Sequence, residues 1–519
     1  MYLSEYNSFS RFFTHSLGTF LLLLLLAACS PEDDALPGGD GDNTAPAALR
    51  IEVSASDFTT AATRATDNGA VTTFESGDRI GIIVLDGSGN VLSDNIPYKY
   101  NGSAWSFDSG NGEGKTALYY DNKATAYVAY FPYSPEADGI TGADIPAALK
   151  AKFPPRYDQR TKDAYRASDL LVWSNGMGST PLKQLEIEFT HVYSSLSLSP
   201  SVTCKIDGAE TSYIPSSVAD VSFTIGIEPL LPYRADDGSY RIIVSPQTTG
   251  VRWFCSYKAK TYGGTMPSTA LAANNRYTLA PALADIGDYT LDRAQVGDFY
   301  CRNDKNEGYL IPGDATPFPA NMNCIGIVFK AGREASDNGT YTDIDGREMS
   351  AINGYVVALQ DVSSSTLKWA DKDGQYEFWV GTSTSESDWQ GYDNCQKMKN
   401  GSGWSIEHLP AAKACITFGT AKPYLQYVAP AGSSGWFLPS CGQLLSLYKN
   451  RDVLSGQINK LKAINGYESI GWFGGDYYWS SSEGRVEGGG DARRVNFGTS
   501  HVYWDYKRLG SYVRGVFAF

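Results

Sequence analysis

The sequence predicts a mainly β, extracytoplasmic protein with a mixed α/β C-terminal part. Three observations carry this. Only 19% of the 519 residues are charged, while Tyr numbers 34, Trp 11 and Gly 53; aromatic and Thr/Ser-rich segments punctuated by glycine are strand and turn material. Short segments of alternating or continuous apolar residues recur through the first half, and helix-like spacing enters only beyond residue 400. Residues 17–28 form an apolar run with Arg11 and His15 just before it. That run is too short to span a bilayer, which takes roughly 20 residues, but it has the length of a signal-peptide core.

The signal segment 1–28 ends in Leu26-Ala27-Ala28-Cys29, which matches the bacterial lipobox. Small residues let the signal peptidase reach the bond, and the Cys29 thiol takes the lipid. Several acyl chains on Cys29 hold a protein at a membrane where one myristoyl chain would not. Residues 29–47 continue as SPEDD and LPGGDGD, too polar and Gly-rich to bury a core, and read as a flexible acidic tether. An acidic run just after the lipidated cysteine resembles the surface-export signal of Bacteroidetes lipoproteins.

The net charge of −14 argues against nucleic acid and anionic lipid as partners. Removing Cys29 from the eight cysteines leaves seven, so at least one is unpaired or pairs between chains. There is no Cys-x-x-Cys, and the four histidines (His15, His191, His408, His501) show no zinc spacing. Asp343-Ile344-Asp345-Gly346 and Asp371-Lys372-Asp373-Gly374 lack the downstream Glu of a calcium loop and read as hairpin turns. Gly488-Gly489-Gly490 lacks the Lys-Ser/Thr of a phosphate loop. No catalytic residue, metal ligand or cofactor is assigned.

Element by element, 49–55 alternates as a half-buried strand, 80–85 is a buried strand, and 97–107 is a hairpin over Asn101-Gly102. Further strands fall at 125–133, 170–173 and 185–191, the last continued by 196–199. Strands at 221–225, 240–244 and 274–279 make a second β unit. Five pieces in this order, FESGDRIGI (74–82), SDLLVW (168–173), LEIEFTHVYSSLSL (185–198), YRIIVSPQT (240–248) and NNRYTL (274–279), resemble the fimbrillin (Mfa-like) family of Bacteroidetes pilus subunits. The resemblance implies two tandem β-sandwich domains, at 48–200 and 201–284, with His191 packed in a core. It also implies a partner: other fimbrial subunits, joined by β-strand addition. In polymerising members a protease cuts after an arginine beyond the first strand, and the vacated edge accepts a neighbour's strand. Arg64, followed by Ala65 and set among small residues, fits that cut.

Beyond 285 short strands alternate with long loops, and helices are expected at 411–415, 442–448 and 453–464. The order WFLPS (436–440), helix, YYWSSSE (477–483), VNF (495–497) and VRGVFAF (513–519) resembles domains of unknown function on Bacteroidetes and Fibrobacter surface proteins. Their fold is similar to the C-type-lectin-like and sulfatase-modifying-factor folds. The resemblance implies a mixed α/β domain over 285–519. Calcium-lectin signatures are absent, so a calcium-bridged sugar site does not carry over. Trp472, Tyr477, Tyr478, Tyr503, Trp504 and Tyr506 are candidates to stack on a sugar, with Arg493, Arg494 and Asp505 as polar groups. Trp504, in a loop-like stretch, is the foremost; core packing is the competing role, above all for Trp479.

The expected function is a cell-surface fimbrial subunit, exported as an outer-membrane lipoprotein precursor and placed at the filament tip, binding glycan or a host surface protein. Two other classes remain. One is a surface lipoprotein that never polymerises. The other is an enzyme related to the sulfatase-modifying fold, for which Cys395, Cys415 and Cys441 lack a recognisable motif.

Overall fold

The structure, a computed structural model, describes residues 48–60 and 72–519 except 177, 179, 247–249, 267–269, 317, 319–321 and 486–487. The signal segment, tether, Cys29, Arg64 and Ala65 lie outside the described residues.

The first region is a seven-stranded sheet, in spatial order Arg50–Ala55, Gln184–His191, Leu171–Ser174, Ala124–Phe131, Arg79–Asp86, Val91–Tyr100 and Trp105–Phe107. The strand Arg79–Asp86 reads as a continuous apolar run because both its faces are covered. Ile80, Ile82 and Val84 join Leu185, Ile187 and Phe189 in one core. Ile83 and Leu85 pack on the other side with Ile145 and Leu149 of the helix Ile145–Lys152. Gly81 is required here, since a Cβ would collide with the Tyr130 ring and Asn95. Gln184–His191 is covered on one face only, and its buried residues alternate along its length. The expected hairpin forms: Asn101 N–H donates to Ala104 O, and Gly102 takes φ +101°.

Ser194–Leu198 does not extend the preceding strand. All five residues are buried, which needs cover on both faces. The strand lies instead inside a second sheet, between Tyr240–Val244 and Asn275–Leu279. A facing sheet contains Ala219–Ile225 and Arg252–Tyr257, and Phe223 and Tyr257 share one core with Leu196 and Ile242. A third sheet sets Ala282–Asp288 parallel to Ser201–Ile206.

That core runs on without a break to Phe519. The C-terminal part holds a five-stranded sheet ordered Gly308–Ile311, Phe299–Arg302, Cys324–Ala331, Gly354–Ala358 and Val516–Ala518, and a three-stranded sheet of Tyr477–Glu483, Asp491–Asn496 and Val502–Tyr506. The helices Pro410–Ile416, Cys441–Lys449 and Arg451–Lys462 match the expected ones. Cys441–Lys449 starts where WFLPS ends because Ser440 and Gln443 form a reciprocal capping box. The two Asp-Gly motifs are hairpin turns, closed by the bridges Thr342 to Glu348 and Lys372 to Gln375. The helices Ile145–Lys152, Lys162–Ser168 and Gly391–Asn400 were not expected.

Candidate functional site

Two places in the molecule carry unusual geometry: the termini of the described chain and an aromatic strand on the C-terminal part. At the N-terminal end, Arg50–Ala55 is an edge strand paired parallel to Gln184–His191, from Arg50 against Gln184 to Ala55 against Phe189. Every second residue is exposed, and no residue of the strand is fully buried. Phe58 follows and is buried, its ring stacked on His191 with centroids 3.6 Å apart and the Arg276 guanidinium carbon 5.4 Å from its centroid. His191 is itself buried, with Nδ1 2.8 Å from Asp169 and Nε2 3.2 Å from the Thr72 hydroxyl. Thr59–Thr60 then pairs with Asn275 and Arg276 at the edge of the second sheet. The segment 48–60 therefore caps the edges of two sheets, with one aromatic plug between them. Sequence reasoning did not single out Phe58; a lone aromatic between a strand and a polar small-residue run is the signal that could have found it.

The other end is built differently. Val516–Ala518 pairs with Gly354–Ala358 on one side. On the other, Val516 and Phe437 exchange backbone hydrogen bonds of 3.0 and 2.8 Å. Asn353 N–H donates to Phe519 O at 2.6 Å, and Ala518 N–H to the Ser434 hydroxyl at 2.9 Å. Val516, Phe517 and Ala518 are 0% exposed, and the Phe517 ring meets Tyr300 and Trp436 edge-on.

Tyr503, Trp504 and Tyr506 are in a strand, not a loop: Val502–Tyr506 is the edge of the three-stranded sheet. Successive side chains of a strand point to opposite faces, so the candidates divide into two groups. On one face Arg494 lies opposite Tyr503, sits 4.1 Å over the Tyr477 ring and is paired with Asp505. On the other, Arg493 lies opposite Trp504, and the guanidinium carbons of Arg493 and Arg485 both stand 5.9 Å from a Trp504 ring centroid. Arg493 is anchored by Thr384 O at 2.7 Å and Glu386 at 2.9 Å. Tyr506 extends this face toward Tyr376 and Arg508. Trp504, Tyr506 and Tyr503 are 50, 47 and 42% exposed, which leaves ring area open to a ligand. Trp472 is elsewhere, packed on Phe473 and Phe497; Tyr478 packs on the same two rings and is buried, and Trp479 is fully buried.

A buried ion pair fixes this strand. Glu483 and Lys507 have no exposed side-chain surface and bind each other. The Glu483 carboxylate also accepts the backbone N–H groups of Val380, Gly381 and Thr382, each at 2.9 Å. Lys507 donates to Phe378 O at 2.7 Å and lies over the Trp369 ring. Burial lowers the Lys507 pKa, opposed by the Glu483 charge.

Burial also pushes the Cys395 and Cys441 thiols up to about 12 and Cys415 well above its ordinary value. That is the wrong direction for a thiolate nucleophile. Among the described residues there is no cluster of three His, Cys, Asp or Glu able to hold a metal, and no helix is long and apolar enough to cross a membrane.

These features define a class: a mainly β protein whose two terminal strands and one exposed aromatic strand are its distinctive surfaces. Residues 63–293 match the fimbrillin-like family. A Bacteroides ovatus protein bearing the name "putative fimbrium tip subunit Fim1C" is 26% identical over 512 residues, covering 89% of this chain and 91% of its own length. The crystal structure of a fimbrial protein from Bacteroides ovatus is similar at TM-score 0.41 and 18% identity, covering 92% of this chain and all of its own. A cell adhesion protein from Bacteroides uniformis matches at TM-score 0.31 and 19% identity, over 46% of this chain and 94% of its own.

Proposed function

We propose that this chain is a fimbrial tip subunit that accepts a strand from its neighbour and donates none. The observation that carries the reading is the asymmetry of its ends. The strand Arg50–Ala55 is an exposed sheet edge just upstream of Arg64, whereas Val516–Ala518 is fully buried and bonded along both sides. In this reading the chain is exported as an outer-membrane lipoprotein held through Cys29. Cleavage after Arg64 frees the segment ending there, and a neighbouring subunit's strand pairs with Gln184–His191 in its place. β-augmentation of this kind takes affinity from main-chain hydrogen bonds and specificity from alternate side-chain pockets. The fimbrillin-like match over 63–293 and the tip-subunit name of the Bacteroides ovatus relative support it.

The C-terminal part, read as a C-type-lectin-like domain, serves as the adhesive head, and Trp504 with Tyr506 offers a stacking surface for glycan or a host surface protein. Arg493, tied to Glu386, holds the flank of that surface, while Arg494, Tyr503, Tyr477 and Asp505 form its reverse side. Immunogold labelling of isolated filaments tests the tip position: label at one end supports it, and label spaced along the shaft overturns it. Screening the full chain and its Trp504→Ala variant on a glycan array tests the head. The expected result is a bound glycan class whose signal falls at least tenfold in the variant; equal binding by both chains removes Trp504 from the site.

A further inference from the structure

Seven cysteines follow Cys29, and all seven are buried free thiols. Two of them meet. Phe299–Arg302 and Cys324–Ala331 run antiparallel, with Tyr300 opposite Gly326 and Cys301 opposite Cys324, so Ile325 is a bulge between the pairs. Arg302 N–H donates to Asn323 O at 2.9 Å. That bond flanks Cys301 and Cys324 and marks them as a non-hydrogen-bonded pair. In such a pair the Cα atoms lie about 4.5 Å apart and the side chains approach most closely. The separation falls within the roughly 4.4–6.8 Å that a disulfide spans. Both side chains point into the core, at 0 and 2% exposure. The other five are placed differently. Cys204 and Cys255 lie on strands of different sheets; Cys395, Cys415 and Cys441 lie on three separate helices, and although Cys395 is near enough to raise the Cys415 pKa, no strand register sets any of these five opposite another.

We propose that Cys301 and Cys324 form a disulfide across this sheet in the exported protein. The oxidant is a protein disulfide of the oxidising compartment that export passes through. One cysteine thiolate attacks a sulfur of that disulfide and expels its partner as a thiolate, leaving a mixed disulfide. The second cysteine then attacks the first, forming the Cys301–Cys324 bond and releasing the oxidant as a dithiol. The pair loses two electrons and two protons, and the oxidant gains both.

The order of events follows from burial. In the folded chain desolvation, reinforced by the adjacent Cys324 thiol, holds Cys301 well above the ordinary thiol pKa, and the thiolate is the reactive form. Oxidation therefore precedes closure of the core, and the finished bond is out of reach of external thiols. The bridge closes the loop 302–323 and ties Phe299–Arg302, the strand through which the chain enters its C-terminal sheet, to the middle of that sheet.

The proposal requires export through an oxidising compartment but not a place in a filament, so the filament experiments and this one fail independently. The test uses the mature chain recovered from its cells, acid-quenched, denatured and alkylated before and after reduction. Expected are five of the seven thiols alkylated without reductant, all seven with it, and a linked peptide pair containing Cys301 and Cys324, about 2 Da lighter than its reduced halves. In the Cys324→Ala chain all six remaining thiols alkylate without reductant, a readout that survives misfolding because the protein is denatured. Alkylation of all seven without reductant, or a bridge joining any other pair, overturns the proposal.

Discussion

The strand Arg50–Ala55 and the strand Val516–Ala518 are both short, both apolar on at least one face and both near a chain end. They differ in what surrounds them. The first pairs with a strand along one edge only, and alternate residues are exposed. The second has Gly354–Ala358 on one side, Phe437 and Ser434 on the other, and no exposed side chain. A strand can be exchanged only if few contacts hold it and its removal leaves the core closed. Location near a terminus is therefore not enough; in the proposed assembly the number of satisfied edges decides which end of this molecule takes part in strand exchange.

Substitutions break this comparison in a definite order. Phe517→Ala empties a fully buried aromatic site and should cost about 4 kcal/mol, read as a fall in the chemical-denaturation midpoint of the C-terminal part. A cost near 1 kcal/mol would show the C-terminal strand to be as loosely held as the first. Glu483→Gln leaves the Lys507 ammonium buried without its carboxylate and should cost roughly 3 kcal/mol, with faster amide exchange across Val502–Tyr506. By contrast Val53→Ala, in the half-exposed edge strand, should cost about 1 kcal/mol. Arg50→Ala, which breaks a surface pair with Glu52 at 74 and 50% side-chain exposure, should change stability by less than about 0.5 kcal/mol.

Acidity sharpens the comparison at the junction between the two regions. Asp298 accepts the Tyr289 hydroxyl at 2.8 Å and the backbone N–H groups of Gln295 and Gly313, and burial raises its pKa to about 6. Between its ordinary value near 4 and that raised value, the folded chain keeps a proton the unfolded chain has released. Its contribution to stability therefore falls as pH rises from about 4 to about 6, by at most roughly 3 kcal/mol. Asp298→Asn should lack this component. Denaturant midpoints of both chains at pH 4 and pH 7 measure it, and identical pH slopes would remove Asp298 as the source.

Much of the fold was legible because the physics was local. The run at 80–85 and the alternation at 185–191 report directly how many faces of each strand are covered. Ser440 and Gln443 announce a helix start through their own side chains. The helices Ile145–Lys152 and Gly391–Asn400 were missed because they are short and follow tertiary packing more than periodicity. The aromatic site was half legible. YWDY (503–506) identified the exposed rings, but without a clear alternation it read as a loop. Only the strand register separates Trp504 and Arg493 from Tyr503 and Arg494. Phe58 and the Glu483–Lys507 pair depend on contacts far apart in sequence, which no local pattern encodes.

The most direct test of the account is N-terminal sequencing of the chain in purified filaments. The account predicts a start at Ala65, with the lipid, the strand Arg50–Ala55 and Phe58 gone. A filament-associated chain that still begins at lipidated Cys29 would contradict it, because its first sheet edge would remain occupied.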